Sequence, residues 1–147
     1  MYKLRKYTDN DYGFVYQVKK DAYIKYVEEI WGSWIEDKQR EYFDTFISKY
    51  GNELYIIEID GKEAGIYNGE ILEDNSFEIG NICIVREYQN LGYGTQILKD
   101  ILEENKDRVI RIQCFKSNPV KSLYLRLGFE FEEKNETHYK LIRTVRG

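Results

Sequence analysis

The sequence predicts one mixed α/β domain whose elements follow in the order β-α-α-β-β-β-α-β-α-β-β. Three features lead to this fold class: short β-branched runs of strand length, two early segments with apolar residues at helical spacing, and a central strand, glycine turn and helix. The chain has 147 residues, which suits a single domain with a substantial core. Because no linker, repeat or low-complexity tract interrupts it, we draw no domain boundary within 1–147.

Composition excludes several classes of protein. Aromatic residues make up 16% of the chain, which argues against disorder. Charged residues make up 33%, yet the net charge is only -4, so the field of the whole protein favours neither nucleic acid nor an anionic membrane as a partner. No apolar run approaches the roughly 20 residues that span a bilayer, and the first residues lack a secretory apolar core. We therefore expect a cytoplasmic protein.

The first part of the chain predicts a strand and two helices. Residues 2–7 alternate as in a short strand, and apolar residues then recur at helical intervals from about Asn10 to Ile30. Gly32 and Ser33 interrupt this pattern. A second helix is predicted from about Ile35 to Tyr50, closed by Gly51.

An excess of acidic residues marks this region. Between Asp21 and Asp60 there are ten acidic and four basic residues. One interpretation is a set of solvated helix faces. The other is an acidic, aromatic lip that attracts a cationic amine by charge and cation-π contact, with Tyr26, Glu29 and Trp31 as candidate substrate contacts. Both interpretations stay open.

The next segment predicts a β-hairpin that leads into the central strand. Leu54 to Ile59 and Lys62 to Ile71 flank Asp60-Gly61, a dipeptide that suits a tight reversal. Polar residues 73–76 then mark a second turn.

A strand, a glycine turn and a helix follow from Phe77 to Leu98. Gly92 and Gly94 permit close approach of a ligand and backbone angles that a Cβ forbids. The main-chain amides of 89–94 and the positive end of the following helix, which we end near Lys106, predict an anion pocket that suits a pyrophosphate. The alternative is a turn that uses glycine only for its geometry.

The last third predicts another strand, a short helix and a final pair of strands. Val109 to Phe115 alternates as a strand, and residues 116–119 start a helix that Gly128 ends. Residues 129–132 and 138–144 then pair as strands.

Cys83 and Cys114 are the two cysteines, and both lie in apolar strand-like runs. We expect neighbouring buried thiols, because a disulfide is improbable in a reducing cytosol. Two Cys and one His without suitable spacing do not make a zinc site. We therefore expect no metal.

Two motifs together resemble a known family. Gln89-x-x-Gly92-x-Gly94 follows an Ile-Cys-Ile strand, and Asn118 and the run Leu123-Tyr124-Leu125-Arg126-Leu127-Gly128-Phe129 come later. This combination resembles the GNAT superfamily of N-acetyltransferases, and the resemblance covers roughly Ile56 to Leu141. It implies a mixed, mostly antiparallel central sheet flanked by helices, with acetyl-CoA as co-substrate.

The resemblance places three groups of residues against acetyl-CoA. Backbone groups of the strand bind the pantetheine and the thioester carbonyl, the glycine turn cradles the pyrophosphate, and an Asn contacts the arm of the cofactor. In this chain these groups are Ile82, Cys83 and Ile84; Gln89, Asn90, Leu91, Gly92, Tyr93, Gly94 and Thr95; and Asn118.

The resemblance also suggests two catalytic residues. Tyr124 matches the tyrosine that protonates the leaving thiolate, and its alternative role is core packing. Glu78 resembles the glutamate that accepts a proton from the amine through water, and its alternative is an exposed carboxylate with no role. Cys83 is not expected to carry the acyl group, because a buried strand thiol is usually inert.

The expected function is direct transfer of an acetyl group from acetyl-CoA to a primary amine of a small molecule or peptide. Two alternatives stay open: a non-catalytic CoA-binding or sensor module, and a protein lysine or N-terminal acetyltransferase. We expect no nucleic-acid or membrane partner. Dimerisation is common in the family, so a homodimer is compatible with the resemblance, although no stretch of the sequence shows one.

Overall fold

The computed structural model describes residues 1–145 and contains a seven-stranded sheet in the order β1-β2-β3-β4-β5-β7-β6. Its strands are β1 (Tyr2–Lys6), β2 (Leu54–Ile59), β3 (Lys62–Ile71), β4 (Phe77–Ile84), β5 (Ile110–Phe115), β6 (Glu130–Lys134) and β7 (His138–Arg143). Its α-helices are α1 (Tyr12–Trp31), α2 (Glu36–Tyr50), α3 (Tyr93–Glu104) and α4 (Lys121–Arg126). The element order and the mostly antiparallel sheet expected from the sequence are confirmed.

Strand pairing is antiparallel between β1 and β2, β2 and β3, β5 and β7, and β6 and β7. β4 instead runs parallel to β5, with Phe77 opposite Ile110 and Glu78 opposite Arg111. The one parallel pair in this described register therefore involves the strand that precedes the glycine turn.

The chain divides into two compact units. The first unit comprises Met1–Asn68 and Asn81–Leu91, and the second comprises Gly69–Gly80 and the chain from Gly92 onward. The first unit holds α1 and α2, and the second holds α3 and α4. The single domain expected for 1–147 stays a prediction.

The core of the first unit forms where α1 and α2 cover the strands. Phe43 is the one fully buried residue of α2, and its ring makes edge contacts with Tyr12 at 5.0 Å and Tyr16 at 5.2 Å between centroids. Such aromatic contacts add to the free energy gained by burying the rings themselves. The buried cluster consists of Val15, Tyr16, Val18, Phe43, Leu54, Ile56, Ile66 and Cys83.

A charged pair fixes the entry to α1. The guanidinium of Arg5 donates to both carboxylate oxygens of Asp11, at 2.8 and 2.9 Å. The backbone N–H of Thr8 donates to the same carboxylate at 2.9 Å. These bonds, led by the one from Arg5, lower the pKa of Asp11 to about 2 although the group is buried.

Glycine positions mark the turns of the first unit. Asp60 and Gly61 both have positive φ, 52° and 77°, as a tight hairpin turn requires, so the predicted reversal is confirmed. Gly32 ends α1 with a φ of 92°. Gly51 is different from the expectation: its φ is −55°, and the chain continues past Tyr50 into a 3-10 turn, so Gly51 is not a left-handed helix cap.

The second unit has its own apolar core. One face of α3 buries Ile97, Leu98, Ile101 and Leu102, as the helical spacing predicts. The strands of this unit bury Ile110, Ile112, Phe129 and Leu141 in addition to other side chains. The late helix is shorter than predicted, because Asn118 accepts the Val120 N–H at 3.0 Å in a turn and α4 begins only at Lys121.

Two further properties concern only residues 1–145. None of their helices combines the length and the apolar character that crossing a bilayer requires. Within the same residues, no three His, Cys, Asp or Glu side chains group as metal ligands do.

Gly65 in β3 allows a close backbone approach, and its replacement tests that approach. A Cβ at this position would overlap the carbonyl oxygen of Cys83 in β4. We expect Gly65→Ala to lower the free energy of unfolding by about 2 kcal/mol, since neighbouring backbone must shift. Urea denaturation measures this change.

Gly13→Ala is the matched control for Gly65→Ala. Gly13 lies in α1, and a Cβ there meets no atom within 4 Å. It should leave stability unchanged or raise it by up to about 1 kcal/mol, because alanine favours a helix. Equal stability of the two variants would contradict the proposed clash.

Candidate active site

The end of β4 is tied down by three hydrogen bonds within the first unit. The Val85 N–H donates to the Ala64 carbonyl in β3 at 2.8 Å. The side-chain amide of Gln89 donates to the Ile84 carbonyl, also at 2.8 Å. The backbone N–H of Gln89 donates to the Arg86 carbonyl at 3.1 Å. The first part of the glycine turn is therefore anchored to the end of the strand.

This arrangement corrects one expectation. The main-chain amide of Gln89 was expected to be an open donor for a pyrophosphate, but it closes the 3-10 turn formed by Arg86–Tyr88. Asn90, which follows, has a left-handed φ of 62°, a conformation that asparagine tolerates better than most residues. The anion pocket predicted for 89–94 therefore excludes the first of its amides.

In the second unit, Gly92 starts α3 in the left-handed region, with a φ of 90°. A Cβ there would meet no atom within 4 Å, so the glycine is required by backbone conformation and not by space. The first helical hydrogen bond runs from the Gln96 N–H to the Gly92 carbonyl at 3.0 Å. The amides of the first turn of α3 consequently point out of its N-terminus, where the helix dipole favours an anion.

Asn118 and Tyr124 also lie in the second unit. Asn118 uses its side-chain oxygen to accept the Val120 N–H, as described above. Tyr124 is half-buried in α4, and its ring centroid lies 5.9 Å from that of Phe129. This contact fits the core-packing alternative and leaves the acid role of Tyr124 a prediction.

Glu78 is exposed on β4, whereas its neighbours Phe77 and Ile79 are buried. Strand alternation explains the difference, because successive side chains point to opposite faces of the sheet. The register places Glu78 opposite Arg111, whose guanidinium also bonds Glu132 at 3.1 Å. The carboxylates, Glu132 first, raise the pKa of Arg111. The apolar flanks seen in the sequence therefore do not enclose Glu78, and its role as a base stays a prediction.

The candidate acceptor residues lie on the last turns of α1. Glu29 and Trp31 are exposed, with Trp31 at 61% of its full accessible area, and Tyr26 is half-buried. Such an exposed aromatic ring beside a carboxylate has the character expected of a surface lip. Whether these side chains contact a substrate stays a prediction.

One polar cluster was missed by sequence reasoning. The Tyr23 hydroxyl in α1 donates to the side-chain oxygen of Asn81 at 2.6 Å, and the Asn81 amide donates to Asn68 at 2.7 Å. The Cys83 thiol lies 3.5 Å from the same hydroxyl. The only signal in the sequence is a polar Asn81 inside an apolar strand run. We call Tyr23, Asn68, Asn81 and Cys83 the Tyr23 cluster.

Both cysteines are buried and free, as predicted. Burial raises the pKa of the Cys83 thiol, and it raises that of Cys114 as well. A thiol with a raised pKa is protonated at neutral pH and is a poor nucleophile. This environment supports the expectation that Cys83 does not carry an acyl group.

Comparison with known proteins adds the following matches. A family model described as "Acetyltransferase (GNAT) domain" matches residues 50–131, more than half of the chain. The fold is similar to that of the PaiA N-acetyltransferase from Thermoplasma acidophilum, solved in complex with coenzyme A, at 17% identity and a TM-score of 0.74 over 98% of this chain and 99% of that one.

Two further solved structures are similar. The ribosomal-protein-S18-alanine N-acetyltransferase from Escherichia coli has 18% identity and a TM-score of 0.68 over 100% of this chain and 97% of that one. A structure described as histone acetyltransferase HPA2 and related acetyltransferase, from Corynebacterium glutamicum, has 14% identity and a TM-score of 0.76 over 99% of this chain and 97% of that one. At these identities the likeness concerns the fold.

The tether between Gln89 and Ile84 can be tested by calorimetry with coenzyme A. Gln89→Leu removes the 2.8 Å bond that holds the glycine turn to β4. We expect the dissociation constant of coenzyme A to rise roughly fivefold, the equivalent of one neutral hydrogen bond. Gln96→Leu is the control, because the Gln96 side chain bonds only Asp100 on the surface of α3 in the described contacts. Equal dissociation constants in both variants would show that the tether does not matter for binding.

Proposed function

This chain belongs to the GNAT acetyltransferase family, and we propose that it transfers an acetyl group from acetyl-CoA directly to a primary amine of a small molecule or peptide. The observation that carries the proposal is the start of α3. There the left-handed Gly92 turns the chain so that the amides of the first helical turn point outward at the positive end of the helix. This geometry fits the pyrophosphate of a coenzyme A thioester.

The residues around this start have proposed binding roles. Gly92, Tyr93, Gly94 and Thr95 would donate main-chain amides to the pyrophosphate. Ile82, Cys83 and Ile84 would offer backbone groups to the pantetheine and thioester. Leu91 and Asn90 continue the turn, and Asn118 would contact the arm through its side-chain amide. The coenzyme A in the Thermoplasma acidophilum structure supports this choice of ligand.

Acetyl transfer needs a neutral amine, a polarised carbonyl and an acid for the leaving group. The lone pair of the amine attacks the thioester carbonyl carbon, and the carbon–sulfur bond breaks. We assign Tyr124 as the acid that gives its proton to the departing thiolate. The proton lost by the amine goes to water or, through water, to Glu78.

The acceptor is proposed from the end of α1. Exposed Trp31 and Glu29, with Tyr26 one turn earlier, would attract a cationic amine by cation-π contact and charge. The same exposed ring would also suit a lysine side chain or an N-terminus on a protein surface. The two acceptor classes, and the alternative of a CoA-binding module without turnover, are separated by assay.

The test is an assay of free-thiol release from acetyl-CoA with polyamines, aminoglycosides, amino acids and lysine peptides. Calorimetry with coenzyme A accompanies it. Thiol release with one amine class supports the proposal and names the acceptor. Binding of coenzyme A without release by any amine would identify a non-catalytic module. No heat of binding at millimolar coenzyme A would refute the proposal as a whole.

Tyr124→Phe tests the proton donor. The variant keeps the ring that packs on Phe129 and loses the acid, so kcat should fall about a hundredfold or more while the dissociation constant of coenzyme A is nearly unchanged. Tyr55→Phe is the control, because Tyr55 is also half-buried and its ring stacks on Tyr67. An unchanged kcat in Tyr124→Phe would remove the acid role.

A further inference from the structure

Two adjacent lysines of α1 have opposite environments. The Lys20 ammonium pairs with the Glu36 carboxylate at 3.2 Å. The Lys19 nitrogen instead lies 3.8 Å from the centroid of the Phe46 ring and 5.5 Å from that of Tyr23. Among the ion pairs of residues 1–145, none involves Lys19. The Lys19 amine is therefore held by aromatic faces, whereas its neighbour is held by a carboxylate.

This environment favours the neutral form of the Lys19 amine. The side chain is half-buried, and burial lowers the pKa of its ammonium. A carboxylate partner would oppose this effect, as Glu36 does for Lys20. The neutral amine is the form that attacks a carbonyl carbon.

The position of Lys19 relates it to β4. Its charge interacts with Cys83, and its nearest rings include Tyr23. The Tyr23 hydroxyl in turn contacts Cys83 at 3.5 Å and Asn81 at 2.6 Å. Lys19 thus lies beside the side-chain face of the strand segment whose backbone is assigned to the thioester. All of these residues belong to the first unit.

We propose that Lys19 is a self-acetylation site, whose ε-amine accepts the acetyl group of acetyl-CoA bound along Ile82–Ile84. The inference rests on the proposed function, since it uses the same thioester. The Lys19 nitrogen forms a bond to the acetyl carbonyl carbon and the carbon–sulfur bond breaks. The amine loses one proton, the thiolate of coenzyme A gains one, and no other reactant is needed.

Modification would change the surroundings of β4. Acetylation removes the positive charge of Lys19 and with it the cation-π contact with Phe46. It also removes the charge that lowers the pKa of the Cys83 thiol. The modified chain therefore carries an uncharged amide beside the Tyr23 cluster.

The experiment incubates the full chain with acetyl-CoA and no added amine, and locates acetyl groups by peptide fragmentation and mass spectrometry. Holding an amine beside a thioester raises its rate relative to a free one, so we expect at least about tenfold more label on Lys19 than on Lys20. An excess of coenzyme A without an acetyl group should suppress the label, because it competes for the same site. Lys19→Arg should lose the label, and Lys20→Arg should keep it.

The outcomes separate this inference from the proposed function. If the chain releases thiol with an added amine but labels Lys19 and Lys20 equally, the self-acetylation site is refuted and the enzyme stands. Label that persists in excess coenzyme A would also refute it, as it would mark reaction in bulk solvent. If the chain neither binds coenzyme A nor releases thiol, both proposals fall. The Lys19 to Lys20 comparison uses the unaltered chain, so it holds even if a variant fails to fold.

Discussion

The close approach of β3 and β4 at Gly65 is the constraint on which the candidate site depends. Because Gly65 has no Cβ, the Cys83 carbonyl can lie where a side chain would otherwise be. The Val85 N–H then reaches the Ala64 carbonyl, and Gln89 reaches back to Ile84. Each step fixes the next part of the chain, up to the residues that lead into the glycine turn. The position of these backbone groups is thus set by contacts between strands and not by the turn alone.

Much of this fold follows from local pattern. The hairpin at Asp60-Gly61 and the buried face of α3 appear in the structure as the sequence predicts, because each depends on a few neighbouring residues. Gly51 shows the limit of such reasoning. Glycine permits a left-handed cap without requiring one, and here the chain continues in a helical conformation into a 3-10 turn. The amide of Gln89 is similar, since its use by Arg86 depends on the local turn type.

The candidate site was less predictable because side-chain environment depends on residues distant in the chain. Tyr23 and Asn81 are 58 positions apart, yet they share a 2.6 Å hydrogen bond. Glu78 has apolar neighbours in sequence, but the pleat of the strand turns them to the opposite face and leaves the carboxylate exposed near Arg111. Motif resemblance identified the strand and the glycine turn, whereas the polar cluster and the aromatic setting of Lys19 required coordinates.

The fork between Arg5 and Asp11 has a consequence for acid tolerance. A carboxylate whose pKa is about 2 in the folded chain stays ionised through most of the range in which an ordinary aspartate is neutralised. Its stabilisation, on the order of 2 kcal/mol, is complete above about pH 4 and is lost only as acidity approaches the folded value. The junction between β1 and α1 should therefore outlast less protected parts of the molecule during acid unfolding.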